Sequence, residues 1–259
     1  DAEVVHVIDS RMLQGVETPY ANSQSISPDP MSHRDILEKE KGQAREALDK
    51  VLSAEGSRLN YPLKIEVRIL EGNVSEIVHG LAAEEDTALI TINSRVKNAI
   101  FNSVNDILDT VTNLDVPVIL VPEDVPFERP EEMVFVSEQD FSKLELSKNV
   151  IDLLKPFSPE VHLLHQGEAH GFPDVSSEDL PHDVSADISE IFQPLRVKGV
   201  QVEGKDYPDA SVGYMLQDPP QLILVCYEQK SAIRRVFRKN ITKEIIKSLP
   251  VPVMLFPAG

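Results

Sequence analysis

Short apolar segments alternate with amphipathic segments along most of the chain. Residues 3–8, 64–70 and 87–92 predict strands, and the third is nearly all apolar, as is typical of a parallel strand covered on both faces. Between strands, apolar residues recur at helical spacing, as they do at Val74, Ile77, Val78 and Leu81. Strict alternation of strands and helices requires crossover connections, so the pattern predicts an α/β protein with a parallel sheet.

The same order of elements occurs twice. The segment 114–122 (LDVPVILVP) recurs at 249–257 (LPVPVMLFP) with six of nine residues identical, at an offset of 135 residues. In the second copy, strands are predicted at 133–137, 160–165, 197–203, 221–226 and 251–256, and helices at about 142–155, 186–195 and 207–216. Two copies of one α/β unit follow.

The repeat predicts two domains, 1–126 and 127–259, joined through an acidic, proline-rich segment at 123–132. The first repeat has no counterpart to the strand and helix that open the second. We therefore expect about 25 residues of the first repeat to precede Asp1.

Composition excludes several classes of function. With 43 acidic and 25 basic residues, the formal net charge of −18 repels a phosphate backbone, which argues against DNA or RNA as a partner. The single cysteine, Cys226, excludes an internal disulfide, and no apolar run approaches the ~20 residues that span a bilayer. We expect a cytoplasmic protein with no membrane partner.

Three segments carry a resemblance to a known family. The run ILEGNVSEI at 69–77, the opening VFVSEQDFS at 134–142 and the paired Val-Pro-Val endings resemble the universal stress protein family in its tandem-domain form. The resemblance implies two tandem domains, each with a five-stranded parallel sheet of the doubly wound, adenine nucleotide alpha hydrolase-like type and strand order 3-2-1-4-5. The first domain is expected to lack its first strand and helix. It also implies an adenine-nucleotide cleft at the carboxyl ends of strands one and four.

The resemblance also implies an interface. Family dimers meet through their last strands, so the strands at 117–121 and 251–256 are expected to form an intrachain pseudo-dimer of the two domains. Each strand is rich in valine and nearly uncharged, and such an edge is an aggregation site if it stays open. Pro117 and Pro252 suit an edge, where a missing N–H costs no ladder bond.

The phosphate-binding loop of the family has lost its glycines in both repeats. ATP-binding members carry Gly-x2-Gly-x9-Gly-Ser/Thr after strand four, where glycine lets the backbone approach the phosphates. In the second repeat these positions hold Cys226, Gln229, Lys239 and Asn240. In the first repeat, Asn102 and Ser103 can stand for the terminal Gly-Ser pair. The loss argues against tight ATP binding, and the alternative is a rewired anion site that uses Ser103, Lys239 and Arg234 or Arg235.

Other candidate residues each have two interpretations. Asp140 matches the family aspartate that faces adenosine, or it caps a helix that begins at 141 or 142. Cys226 is a buried structural thiol or a redox sensor. The basic run 230–239 is a solvated helix face, or it binds a phosphate-bearing ligand or the acidic surface of the chain itself.

Four histidines lie in or near an acidic loop, but their spacing fits no compact metal motif, so we expect no metal and assign them to the solvated surface: His162, His165, His170 and His182.

The sequence thus predicts a universal stress protein-like regulatory or binding protein of the stress response that acts on an unidentified protein partner. We expect that it is not an enzyme, that its ATP binding is lost or weak, and that it has no cofactor. Two alternatives remain open. The first is an adenine-nucleotide-binding switch or weak ATPase, with ATP or another adenine nucleotide as a weakly bound cofactor. The second is a soluble regulatory tail of a transporter or kinase.

Overall fold

The computed structural model of the chain describes residues 2–9, 33–56, 63–94, 101, 103–123, 125–126, 128–137, 146, 148–166, 192–204, 206–227 and 241–257. It divides into two compact units, Asp1–Leu81 and Ala82–Gly259. This division by compactness differs from the boundary at 126/127 that the repeat suggests, because strands from both repeats share the sheet of the second unit.

The first unit contains a small parallel sheet. Its elements are strand β1 (Ala2–Ile8), helix α1 (His33–Gly56), strand β2 (Ile65–Glu71) and the start of helix α2 (Val74–Ala82). The strands pair in parallel from Ala2 opposite Ile65 to Ile8 opposite Glu71. Ion pairs join Arg68 to Glu3 at 2.9 Å and Lys41 of α1 to Glu71.

The turn between β2 and α2 follows its sequence closely. Gly72 adopts φ of +143°, a conformation that side-chain-bearing residues rarely reach. The Asn73 side chain then accepts hydrogen bonds from the backbone N–H groups of Ser75, at 2.9 Å, and Glu76, at 3.4 Å, which satisfies donors at the start of α2. Gly72 and Asn73 together thus make the turn that begins α2.

The second unit holds most of the chain. Its strands are β3 (Ile90–Asn93), β4 (Val118–Val121), β5 (Glu132–Ser137), β6 (Glu160–Gln166), β7 (Arg196–Val202), β8 (Leu222–Tyr227) and β9 (Val253–Pro257). Its helices are α3 (Val104–Val111), α4 (Lys148–Leu154), α5 (Tyr207–Gln217) and α6 (Ile241–Ser248), with a short 3-10 turn at Lys155–Phe157.

One seven-stranded sheet organises this unit in the order β3-β4-β9-β8-β5-β6-β7. Strands β5 to β9 are the five strands of the second repeat, and their spatial order is the predicted 3-2-1-4-5. Every neighbouring pair is parallel except β4 and β9, which run antiparallel. The predicted mixed α/β fold dominated by a parallel sheet is therefore confirmed.

The antiparallel pair joins the two terminal strands that repeat each other in sequence. Val118 lies opposite Leu255, Ile119 opposite Met254, and Leu120 opposite Val253. Neither strand is an edge of this sheet, because each covers the other; the outer strands are β3 and β7.

The core lies on both faces of the central strands. All six residues of β8 are buried, and so are all residues of β5 after Glu132, as expected of parallel strands covered by helices. On one face Phe135 contacts Phe192 edge to face, with ring centroids 5.1 Å apart, and lies 6.1 Å from Phe256. In the part of Asp1–Leu81 that the structure describes, the buried apolar residues are Ile8, Val74 and Val78.

Several predicted boundaries differ from the structure. The strand predicted at 87–92 is Ile90–Asn93, because pairing with the four residues of β4 decides its length. Helix α3 begins at Val104, directly after its cap at Ser103. The helix predicted at 142–155 is described over Lys148–Leu154, and the segment predicted at 186–195 lies outside the described residues except for 192–195.

Candidate functional site

The order of the strands places a topological switch point at the carboxyl ends of β5 and β8, which is where doubly wound folds form a ligand crevice. The chain leaves β5 toward β6 on one side and leaves β8 toward β9 on the other, so connections diverge from two neighbouring strands. Doubly wound proteins bind ligands at such a switch point. The last paired residues at this edge are Ser137 of β5 and Cys226 of β8.

Cys226 is fully buried and packs in the core cluster that contains Phe135, Leu224 and Phe256. The predicted burial of this thiol is therefore confirmed. The alternation of side chains along β8 turns this residue toward the core. The predicted role of Cys226 in a nucleotide site stays a prediction. Because the side chain is buried in the core, that role concerns only the backbone at the carboxyl end of β8.

Helix α5 contributes a tyrosine beneath the carboxyl edge. The Tyr207 hydroxyl donates a hydrogen bond to the Leu164 carbonyl at 2.7 Å. Burial raises the pKa of Tyr207 well above its ordinary value, and hydrogen bonding with the Ser137 backbone acts in the opposite direction. The hydroxyl therefore stays protonated and ties α5 to the ends of β5 and β6. Sequence reasoning missed this residue, because only the packing of α5 brings it to this edge.

Three residues shape the start of α5: Gly204, Asp206 and Pro208. The Asp206 side chain caps the helix by accepting from the Asp209 backbone N–H at 3.0 Å, and Pro208 lies in the first turn. Gly204 lies close to the helix: a Cβ atom there would come within 2.8 Å of the Ala210 Cβ atom. Glycine at 204 is thus required for close packing against α5, whereas glycine at 72 is required for its φ angle.

A second buried tyrosine ends β8. The Tyr227 hydroxyl donates to the carbonyls of Val111 at 3.2 Å and Leu114 at 3.3 Å, which lie at the end of α3 and just beyond it. Burial raises the pKa of Tyr227, and the nearby Cys226 and Asp115 add to the shift. Tyr227, which follows the first position of the predicted phosphate-loop motif in the second repeat, is therefore bound to an element of the first repeat.

Ser103 is the N-cap of α3. Its side chain accepts a hydrogen bond from the Asp106 backbone N–H at 3.2 Å. The hydroxyl thus satisfies a helix donor that has no partner within the helix. Binding of an anion here stays a prediction, and the carboxylate of Asp106 in the first turn opposes it electrostatically.

The remaining predicted site residues lie outside the described residues: Asn102, Asp140, Gln229, Lys239 and Asn240, with Arg234 and Arg235. Their roles stay predictions.

The prediction for His162 is wrong. It is 5% exposed instead of solvated, because helix α5 covers its face of β6, where Tyr214 lies within 3.1 Å of the imidazole. His170 and His182 lie outside the described segments, as does the side chain of His165. Within the described part of the chain, no group of three or more His, Cys, Asp or Glu side chains is placed to hold a metal ion. None of the helices described is long and apolar enough to cross a membrane.

The strand order and the helical crossovers define a doubly wound α/β fold. Among solved structures, the chain is similar to a universal stress protein from Archaeoglobus fulgidus DSM 4304, with a TM-score of 0.60 and 20% identity over 100% of this chain and 88% of that one. It is also similar to a putative universal stress protein from Pseudomonas aeruginosa UCBPP-PA14, with a TM-score of 0.51 and 10% identity over 99% of this chain and 93% of that one.

A functionally unknown protein from Pseudomonas aeruginosa PAO1 has a TM-score of 0.50 at 10% identity, over 99% of this chain and 92% of that one. No protein-family model and no curated protein sequence matches the chain. The chain therefore has the fold of the universal stress proteins, and the predicted resemblance is confirmed at the level of fold.

Proposed function

We propose that this chain is a tandem universal stress protein-like regulator of the stress response, which acts through binding and conformational response and not through covalent chemistry. The observation that carries the proposal is that the strand order keeps the switch point between β5 and β8, while the sequence after strand four of each repeat lacks all three motif glycines. A glycine-free loop restricts how closely its backbone approaches a triphosphate. A cytoplasmic location and a protein partner are part of the proposal.

The tandem arrangement is supported by the pairing of β4 with β9. Val118 and Val253 are equivalent in the repeat, and so are Leu120 and Leu255, each 135 residues apart. Val118 pairs with Leu255 while Leu120 pairs with Val253, so exchanging the two repeats reproduces the same pairs. Ile119 pairs with its own equivalent, Met254, on the local pseudo-two-fold axis. Such self-complementary pairing is the signature of an isologous contact.

The strands beside this pair are equivalent as well. The Ile90 N–H donates to the Pro117 carbonyl at 3.0 Å, and the Ile223 N–H donates to the Pro252 carbonyl at the same distance. Pro117 and Pro252 are also equivalent in the repeat. These contacts support an intrachain pseudo-dimer in which duplication replaces dimerisation of separate chains.

A calorimetric titration of the full chain with ATP and magnesium tests the binding part of the proposal. We expect no heat that fits micromolar affinity. Micromolar binding at either repeat would overturn the proposal in favour of the alternative, a nucleotide-dependent switch or weak ATPase, which steady-state phosphate release would then distinguish.

A restored loop tests why binding is weak. The variant with Gln229→Gly, Lys239→Gly and Asn240→Ser leaves buried Cys226 in place, so the core is not altered. We expect ATP affinity to rise at least about tenfold, which corresponds to about 1.4 kcal/mol. A matched variant with Gln229→Ala, Lys239→Ala and Asn240→Ala removes the same side chains without supplying glycine. Equal affinities in the two variants would show that missing glycines are not the cause.

A further inference from the structure

A buried histidine lies between two carboxylates at the amino ends of β5 and β6. His162 Nδ1 lies 2.9 Å from Oε1 of Glu132, and Nε2 lies 3.1 Å from Oε1 of Glu160. The Tyr214 hydroxyl of α5 lies 3.1 Å from the same Nδ1 atom. We call these four residues the histidine clasp. It lies at the edge of the sheet opposite the nucleotide crevice, and it takes no part in the function proposed above.

Charged groups surround the clasp on each element that packs against it. Glu160 and His162 lie on one face of β6, beside their register partners Arg196 and Lys198 on β7. Asp218 caps the end of α5. The imidazole side chain is 7% exposed, so its hydrogen-bond partners must come from these neighbours and not from water. The clasp carboxylates of Glu132 and Glu160 are 34% and 39% exposed and can turn into water.

The electrostatics keep Glu160 and Tyr214 in fixed protonation states near neutral pH. The hydrogen bond with His162 is the largest cause of a lowered pKa at Glu160, with burial acting against it. Burial chiefly raises the pKa of Tyr214, and the charges of Glu132 and Asp218 add to this. Glu160 therefore remains a carboxylate and Tyr214 remains a hydroxyl that can donate a hydrogen bond.

The contacts at Nδ1 suit two different protonation states. A neutral imidazole has one N–H donor and one acceptor nitrogen, whereas an imidazolium has two donors. With both nitrogens protonated, His162 donates to Glu132 and to Glu160 at once. With only Nε2 protonated, the bond to Glu160 persists, the Nδ1 lone pair repels the Glu132 carboxylate, and the Tyr214 hydroxyl supplies the missing donor.

We propose that the histidine clasp is a proton-dependent switch in which Nδ1 of His162 exchanges partners, binding Glu132 when it carries a proton and accepting from Tyr214 when it does not. Glu132 is the first residue of β5 and Tyr214 lies in the middle of α5. Protonation therefore ties β5 to β6 through His162. Deprotonation ties α5 to β6 instead and releases the Glu132 carboxylate to water.

Imidazole 15N–1H correlation spectra of the full-length chain across about pH 5 to 9 test the switch. The His162 signals among the seven histidines are identified by their loss in His162→Gln. We expect both nitrogens to be protonated at the acid end and only Nε2 at the alkaline end. Glu132→Gln weakens the imidazolium, so the change should move to lower pH by about half a unit or more, which is about a threefold loss of proton affinity.

Tyr214→Phe removes the donor of the neutral state and should move the same change to higher pH. Glu131→Gln is the matched control, because it removes the same charge one residue away from the clasp. The proposal is overturned if Nδ1 is unprotonated at the acid end, or if Glu132→Gln and Glu131→Gln have equal effects. If Glu132→Gln does not fold, Tyr214→Phe decides alone, and a shift to lower pH or no shift overturns the proposal.

Discussion

Replacing Tyr227 with phenylalanine removes one hydroxyl and leaves the ring in place. The hydroxyl shares its hydrogen between the Val111 and Leu114 carbonyls, at 3.2 and 3.3 Å, in a side chain that is 5% exposed. The Val111 carbonyl keeps a partner in the variant, because it also accepts from the Leu114 backbone N–H at 3.2 Å. The loss is therefore that of one buried hydrogen bond, about 1–2 kcal/mol of unfolding free energy.

Urea unfolding of the full chain measures this loss, and thermal unfolding should show a midpoint lower by about 2–4 °C per kcal/mol. Amide hydrogen exchange should be faster at Thr112 and Leu114, because the hydroxyl binds the end of α3. Ser53→Ala, which removes an exposed hydroxyl from α1, is the control and should change stability by less than about 0.5 kcal/mol. If Tyr227→Phe is as stable as this control and exchange at α3 is unchanged, the bond does not join β8 to α3.

Burial raises the pKa of Tyr207 and Tyr227 above the ordinary 10.0, so their contribution to stability is complete below pH 10 and falls at higher pH, where the unfolded chain ionises first. The absorbance of tyrosinate at these residues should therefore appear only as the circular dichroism signal is lost. Ionisation of either residue in the folded state would contradict this. The hydrogen bond with His162 chiefly lowers the pKa of Glu160 below the ordinary 4.5, so this carboxylate stabilises the folded chain above pH 4.5 and the stabilisation is lost as the pH falls further. Glu160→Gln should therefore flatten the acid side of the curve of unfolding free energy against pH. Parallel curves for the variant and the unmodified chain would count against this prediction. Gly204→Ala should lower the unfolding free energy by about 1–3 kcal/mol, because its Cβ atom meets Ala210 at 2.8 Å. Gly42→Ala on α1, where a Cβ atom meets nothing within 4 Å, should raise it by about 0.5–1 kcal/mol, and effects of the same sign would refute the packing argument.

Periodicity located the strands better than the helices. The strand predicted at 133–137 is Glu132–Ser137, and the one predicted at 197–203 is Arg196–Val202. Both segments are short and rich in β-branched valine, which favours strands over helices. Helix starts depend on which residue caps the first turn, and periodicity alone did not identify Ser103 as the cap of α3.

The candidate site likewise has one part that the sequence predicted and one part that it did not. The crevice at the ends of β5 and β8 follows from the order of strands, and that order could be predicted from the sequence through the family resemblance. Tyr207 and Tyr227 could not be assigned there, because each reaches a carbonyl more than 40 residues away in the chain. No periodic signal marks such a contact.

The sequence by itself determined the α/β class, the repeat and its consequence that the two terminal strands are equivalent, because apolar periodicity and internal similarity are properties of the chain alone. Only the tertiary structure decided that those strands pair antiparallel in a self-complementary register, and that His162 lies between Glu132 and Glu160 under α5. Register and burial are set by residues distant in the chain. His162, flanked in sequence by Val161 and Leu163, becomes the buried neighbour of two carboxylates only when a helix packs over its face of the strand.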